Sequence, residues 1–295
     1  MRIEPAHAPV AEPFGVPEAK EKGDITALLD ALRRRIQRLE QSLPQLDRQH
    51  RRGEPWRLGV DEIDSHLATQ GLARAGLHDI SPSTYGDRPA TMGFALALAL
   101  RRLSDPSEKR PLLWVRLARE EREFGRLYGH GLETLGLPRR RFITVSLKKP
   151  ISLLWTMEEA LKSGALSLVI GETHAAHASL TATRRLSLAA HAGKSAGLLV
   201  FAKADAAATA SHTRWMIAAA PSRAHPYDAQ APGNPAWRVE LTRARGGRPG
   251  TWDLEWKNAP HRFVMVPGLR SGEVHPWTDE SQTLRAAEAP ALRAG

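Results

Sequence analysis

The sequence predicts an α/β fold with a central, mainly parallel sheet, a β-hairpin after it and an amphipathic helix before it. Three observations carry this. Runs that are apolar throughout recur at strand length, as strands covered on both faces require. Helix-length segments separate those runs, the mark of βαβ units. From Arg214 onward the pattern turns to alternation around a glycine-rich turn, which indicates a hairpin.

The elements follow in chain order. Residues 1–23 are rich in Pro and Ala, lack periodicity and read as a disordered arm. Residues 24–55 hold a helix over Asp24–Ser42 and a basic linker with Arg48, Arg51 and Arg52. The apolar stripe of that helix includes Leu28, Leu32, Ile36 and Leu39 at helical spacing, and Pro44 stops it. The stripe packs either on its own domain or on another subunit or partner. Residues 56–258 form the α/β domain. Its strands are expected at Gly76–Ser81, Leu112–Leu117, Phe142–Ser146, Leu166–Ile170 and Gly197–Phe201. Its helices are expected at Pro89–Leu103, Glu121–Leu135, Ile151–Ser163 and Leu180–His191. Arg214–Ala219, Trp237–Arg245 and Thr251–Trp256 follow as strands, the last two joined by Gly246-Gly247-Arg248-Pro249-Gly250. Residues 259–295 read as a tail.

Composition narrows the function. A chain of 295 residues buries about three quarters of its unfolded surface and needs no covalent staple. It has no cysteine, which excludes disulfides, thiolate metal sites and cysteine nucleophiles. Mean hydropathy is −0.38, and the apolar run Phe94–Leu100 is far too short to span a membrane. The N-terminus has no apolar leader core, so a cytoplasmic protein is expected. The formal net charge of +10 points to a polyanionic partner, most simply nucleic acid.

A nucleotide site would sit where the first strand meets the first helix, because free N–H groups and a positive partial charge gather there. Ser81-Pro82-Ser83-Thr84-Tyr85-Gly86-Asp87-Arg88 occupies that junction. Against the template G-x-x-x-x-G-K-[ST], Gly86 fits the second glycine. Ser81 replaces the first glycine, Asp87 the lysine, and Arg88 the magnesium-binding hydroxyl. The lysine-to-Asp exchange turns attraction into repulsion, of order 4 kcal/mol at about 4 Å near a protein surface. Asp87 instead suits the helix as its capping residue. Glu172 stands one position beyond the place of a magnesium-holding carboxylate, which on a strand reverses its facing. The strand Leu112–Leu117 ends near Arg116 and Arg119 rather than near a carboxylate. Gly193-Lys194-Ser195 looks like the end of a phosphate loop but follows a helix and precedes a strand, so it reads as a helix cap and turn. Glu172, His174 and His177 have a spacing a metal could use, but no long helix fixes them. No cofactor, no metal, no small-molecule substrate and no catalytic residue is expected.

The order of motifs resembles the core of RecA-type recombinases. WRLGVDEIDSHL at Trp56–Leu67 and the glycine-containing turn Gly71–Gly76 match the entry into that core. More specifically, LWTMEEALKSGALSLVIGE, LTATRRLSLAAHAGKSAGLLVF, HTRWMIAAAPS and WRVELTRARGGRPGTWDLEW resemble the ImuA family, across about residues 24–257. The resemblance implies a RecA-like core without a usable ATP site. It also implies a non-catalytic accessory role in damage-induced translesion synthesis under the SOS response. The implied partners are an ImuB-like Y-family protein, an error-prone C-family polymerase, RecA, and DNA without sequence preference. Two alternatives stay open. One is a divergent ATPase of the RecA superfamily, rescued by Arg88 or by a neighbouring subunit. The other is a SulA-like inhibitor of an assembly-forming protein.

Recombinases hold DNA in two loops whose counterparts here are Thr173–Ser179 and Ala202–His212, both rich in Ala and with Lys203 as their one cation. That makes recombinase-style strand exchange doubtful. The basic candidates for DNA or partner contact are Arg139, Arg140, Arg141, Lys148, Lys149, Arg184 and Arg185, together with Arg243, Arg245 and Arg248 of the hairpin. Trp237, Trp252 and Trp256 beside the hairpin arginines read as core rather than as base-stacking platforms.

Overall fold

The computed structural model describes residues 55–204, 208–223, 231 and 233–266. The expected N-terminal helix, with Leu28, Leu32, Ile36 and Leu39, lies outside the described residues, as does most of the expected tail.

Among the described residues, nine strands form one sheet: β1 Leu77–Pro82, β2 Leu112–Leu117, β3 Phe142–Leu147, β4 Leu168–Thr173, β5 Ala196–Phe201, β6 Thr213–Ala220, β7 Ala236–Ala244, β8 Gly250–Lys257 and β9 Arg262–Met265. Their order is β3-β2-β4-β5-β1-β6-β7-β8-β9. The pairs from β3 to β6 are parallel, and β6 through β9 pair antiparallel. The helices are α1 Asp61–Asp64, α2 Arg88–Leu103, α3 Ala118–Phe124, α4 Gly129–Thr134, α5 Pro150–Ser163 and α6 Leu180–Gly193. This is the expected α/β architecture, with the antiparallel hairpin at its C-terminal side.

Burial explains the pattern. Strands β1, β2, β4 and β5 are buried at every position, because helices cover both faces. Among the described residues β3 has a neighbouring strand on one side only, and its burial alternates. On one face α2 packs over β1, β5 and β6. There Phe94 meets the rings of Trp215, Trp237 and Phe263. On the other face α5 and α6 pack together against the sheet, around Leu153, Met157, Leu161 and Leu186. That helix pair approaches closely at Gly193, where a Cβ would lie 1.8 Å from the Leu161 carbonyl oxygen. Among the described residues, no helix is long and apolar enough to cross a membrane.

Three expectations need correction. The helix expected over Glu121–Leu135 is two short helices, because Gly125 adopts φ +79° and ends α3. The Arg116 guanidinium donates to the Gly125 carbonyl at 2.8 Å and holds the break. The strand expected over Leu166–Ile170 is shifted forward to Leu168–Thr173. The sheet also continues beyond residue 258, where a tail was expected to begin, since β9 pairs with β8 and buries Phe263.

A buried polar chain crosses the β1–β6 pair. The His78 ring lies 3.0 Å through Nε2 from the Ala73 carbonyl and 2.8 Å through Nδ1 from Thr213 Oγ1. Thr213 Oγ1 accepts from the Trp215 indole N–H at 2.8 Å, so its own proton is free to go to Nδ1. That arrangement suits a neutral imidazole protonated on Nε2. Burial drives the His78 pKa down to about 4.

Candidate functional site

The parallel strands end along one edge of the sheet, where α/β proteins place their ligands. A cavity of about 630 Å³ opens at the ends of β1, β2, β4 and β5, and its wall includes Thr84, Tyr85, Arg119, Glu123 and Lys203. This is the position of the phosphate-loop counterpart.

The stretch aligned with the phosphate loop is shorter than its sequence suggests. Ser81 and Pro82 remain in β1, paired with Met216 and Ile217 of β6, and Ser81 is buried. Arg88 already begins α2. Only Ser83–Asp87 is left to turn, and Tyr85–Asp87 forms a single 3₁₀ turn. Four backbone donors of Ser83–Arg88 are spent inside the protein. Ser83 N–H donates to Ile217 O at 2.8 Å, and Asp87 N–H to Thr84 O at 3.1 Å. Thr84 N–H donates to the Asp87 carboxylate at 2.9 Å, and Arg88 N–H to Tyr85 O. Gly86 has no positive φ, and a Cβ there would meet only the Thr84 hydroxyl, at 3.8 Å. No glycine is required at that point of the turn.

Asp87 differs from the expectation. It stands at the N-cap position of α2, but its side chain makes no capping bond to that helix. It turns back instead, accepting from Thr84 Oγ1 at 2.8 Å and from the Ala219 N–H of β6 at 2.8 Å. The carboxylate that replaces the lysine thus closes the loop onto the sheet.

Arg88 is buried and points into the site, where its guanidinium forms an ion pair with Glu120 and lies 3.9 Å from Glu172. Its Cζ sits 4.0 Å above the centre of the Phe124 ring. Glu120 is shared further: Arg119 donates at 3.0 Å and His174 approaches through Nε2 at 3.1 Å. Burial disfavours the Glu120 anion, but hydrogen bonds from His174 and Arg88 outweigh it and hold its pKa below the usual carboxylate value. Glu172 is 2.5 Å from Arg116 and accepts from the Trp114 indole N–H at 2.7 Å. Burial pushes its carboxyl up, against the pull of Arg116.

Glu172 corrects a second expectation. Its side chain does not face away from the phosphate-loop junction. Ile170 and Leu168 belong to the core on the α2 side, and alternation along β4 puts Glu172 on that same face. A carboxylate also stands just past the end of β2: it is Glu120. The expected metal spacing is not assembled as a cluster, because Glu172 turns to Arg116 while His174 turns to Glu120. Among the described residues no group of His, Asp and Glu side chains is arranged for a metal ion.

The basic candidates divide between two edges of the sheet. Lys148 and Lys149 follow β3 at the carboxyl edge, and Arg184 and Arg185 lie in the first half of α6, which starts from that edge. Arg185 pairs with Glu158 at 2.6 Å. Arg139–Arg141 precede β3 at the amino edge. The hairpin turn carrying Arg245 and Arg248 is also there, since Ala244 pairs with Thr213 at the start of β6. Strands of this length separate the edges by roughly 20 Å. Arg141 is held inward, donating to the carbonyls of Leu103, Glu108 and Arg110 at 3.0, 2.6 and 3.2 Å. Arg243 donates to Thr209 O at 2.8 Å. The hairpin turn is fastened to the chain after α1, with Arg248 N–H on His66 O at 2.9 Å and the His66 ring 2.9 Å from Pro249 O. Arg139, Arg140, Arg184, Arg245 and Arg248 are exposed. Trp237, Trp252 and Trp256 are buried in the core.

The counterpart of the second recombinase loop is tied down before β6. The hydroxyls of Thr209 and Ser211 both donate to Asp79, and Ala210 N–H donates to Thr183 Oγ1 at 3.1 Å. Sequence reasoning singled out Arg88 but missed Glu120, Trp114 and Phe124 as its surroundings. A Trp inside an apolar run reads only as core, and nothing near Glu120 in sequence marks an acid whose partner is 32 residues away.

No family model matches the chain. The ImuA protein of Caulobacter vibrioides strain NA1000 / CB15N is 31% identical over 229 residues, which cover 73% of this chain and 90% of that protein. ImuA of strain ATCC 19089 / CB 15 matches to the same extent. Among solved structures, SulA from Pseudomonas aeruginosa covers 42% of this chain and 96% of its own, at 26% identity and a TM-score of 0.34. The sequence match spans nearly the whole length of its relatives, and on that ground the chain belongs to the ImuA family.

Proposed function

We propose that this protein is a nucleotide-independent accessory component of damage-induced mutagenesis, acting as a docking platform rather than as an enzyme. Its place is the SOS mutagenesis cassette in the cytoplasm. Its partners are an ImuB-like Y-family protein and an error-prone C-family polymerase, with RecA and DNA as further contacts. Family membership supports the setting. One observation supports the loss of ATP chemistry: at the β1–α2 junction the N–H groups of Ser83, Thr84, Asp87 and Arg88 are spent internally, and Arg88, paired with Glu120, fills the space behind the loop. A triphosphate would have to displace Glu120 from Arg88 and face Asp87.

Two outcomes are expected. Mg-ATP should leave the melting temperature unchanged and release no phosphate. A bound nucleotide would instead add about 2.7 kcal/mol at a hundredfold excess over Kd. A clear melting shift, abolished by Lys203→Ala or Arg88→Ala, would defeat this reading and favour a divergent ATPase. Removing residues 1–44 should leave the α/β domain folded by circular dichroism and abolish co-elution with the ImuB-like partner. An apolar helical stripe of that length is marginal in water unless covered. If the truncated chain unfolds, the stripe serves its own domain.

A further inference from the structure

We propose that the surface beginning at the carboxyl edge with Arg119–Phe124 and running down the following turn to His130 is a binding surface for single-stranded nucleic acid. This gives the DNA clause of the proposed function a location, and it is not the hairpin.

Among the described residues, the exposed large aromatic side chains are Tyr85, Phe124 and Tyr128, at 52%, 38% and 70% exposure. Tyr85 and Phe124 belong to this edge, and Tyr128 follows in the chain that leads away from it toward Gly129 and the Arg139 side chain. The Tyr85 and Phe124 rings lie 6.3 Å apart, and the Tyr128 ring lies 5.6 Å from that of His130. Cations alternate with these rings along the chain: Arg119 before Phe124, then Arg126 between Phe124 and Tyr128, with side-chain exposures of 49% and 84%. Arg122 is exposed as well. The left-handed Gly125 ends α3 between the two aromatic positions, and Arg116 anchors that turn from beneath.

Single exposed rings are ordinary on a protein surface, but here Phe124 and Tyr128 stand in one short stretch beside guanidinium groups rather than in an apolar patch. Rings offer flat faces to bases and guanidiniums offer charge to phosphates, which is the chemistry that holds single strands without reading sequence. The segment sets three carboxylates beside its three guanidiniums, and Arg119 and Arg126 must exchange Glu120 and Glu121 for phosphate on binding. Glu120 turns inward to Arg88, Glu121 faces Arg126 at 3.8 Å, and Glu123 accepts from the Tyr85 hydroxyl. Lys148 and Lys149 after β3 and Lys203 after β5 extend the positive charge along the same edge. An acidic peptide would use the cations but leave the rings without a role. The two counterparts of recombinase DNA loops contribute little, since one is tied to Asp79 and Thr183 and the other sends His174 inward to Glu120.

The test is fluorescence anisotropy of the full-length protein with a labelled thymidine 20-mer, titrated at several salt concentrations. Phe124→Ala with Tyr128→Ala should weaken binding by about tenfold per ring and leave the salt slope unchanged. Arg122→Ala with Arg126→Ala should weaken binding and flatten the slope by about 0.7 for each phosphate left without its cation. Tyr128, Arg122 and Arg126 are exposed, so thermal melts of their variants should match the parent; Phe124 covers the buried Arg88 guanidinium, so Tyr128→Ala alone gives the ring effect free of any loss of stability. Three results would overturn the proposal. The Arg243→Ala, Arg245→Ala, Arg248→Ala variant losing binding while the loop variants keep it would move the site to the amino edge. Polyglutamate displacing the 20-mer, with no effect of the ring substitutions, would assign the surface to an acidic protein. Absence of binding at low salt would remove nucleic acid as a ligand, while co-elution with the ImuB-like partner would still stand or fall on its own.

Discussion

Glu172→Ala should destabilise the fold by about 3–5 kcal/mol, a large share of a domain's net stability. The carboxylate is 2% exposed, 2.5 Å from Arg116 and 2.7 Å from the Trp114 indole nitrogen. Deleting it leaves the Arg116 guanidinium buried with the Gly125 carbonyl as its remaining close acceptor, at 2.8 Å. An unpaired buried charge costs far more than the pair contributes. For the same reason, replacing both partners with Met should recover most of the loss. Denaturant unfolding of the two single variants and the double variant measures this directly. A loss below about 1 kcal/mol for Glu172→Ala would mean that Arg116 is solvated and that the interior network is not a unit.

Acid should also weaken the fold in a window set by His78. Its folded pKa is about 4 because burial disfavours the imidazolium, whereas an unfolded histidine titrates near 6.5. Between those values the unfolded chain binds the extra proton, so stability falls as pH falls. The contribution, about 3 kcal/mol, is complete above about pH 6.5 and lost once pH drops to about 4. His212 has the same sign, lowered first by burial, and its ring lies 6.1 Å from that of His78. Glu108 and Glu120 have lowered pKa values, so their contributions are lost only as pH falls below the ordinary carboxylate value of about 4.5. Urea midpoints between pH 7 and pH 5 therefore leave those two carboxylates out. Glu172, Asp79 and Asp64, raised by burial, act in the opposite sense to the histidines, so the comparison with a His78 variant carries the test. His78→Gln should start less stable at pH 7 and show a much flatter profile across that range. An unchanged slope in the variant would place the sensitivity elsewhere.

The strands of the sheet centre were legible in the sequence because a strand covered on both faces is apolar along its length, as Leu198–Phe201 and Leu112–Val115 are, whereas β1 interrupts its apolar run with the buried pair His78 and Asp79. The helix expected over Glu121–Leu135 was not, because its break at Gly125 depends on a guanidinium from β2. The ninth strand was missed because Arg262–Met265 is short, with only Phe263 deeply buried. Near the loop, the positions of Ser81, Gly86, Asp87 and Arg88 could be read, and so could the loss of the lysine. Their partners could not. Asp87 meets Ala219, and Arg88 meets Glu120, only after the sheet has formed.

The sequence by itself determined the alternation of strands and helices, the absence of thiol chemistry, the charge and the defects at the β1–α2 junction. All of these are local or compositional, because side-chain periodicity is set by the backbone repeat of each element. The tertiary structure alone decided which charges meet. The order β3-β2-β4-β5-β1 brings the ends of β2 and β4 beside the start of α2, so Glu120 and Glu172 reach Arg88. The same order sends Lys148 and Arg245 to opposite edges, although both looked alike as exposed cations in the sequence. Ion pairs depend on distance in space, and the crossover connections of a parallel sheet make that distance independent of separation along the chain.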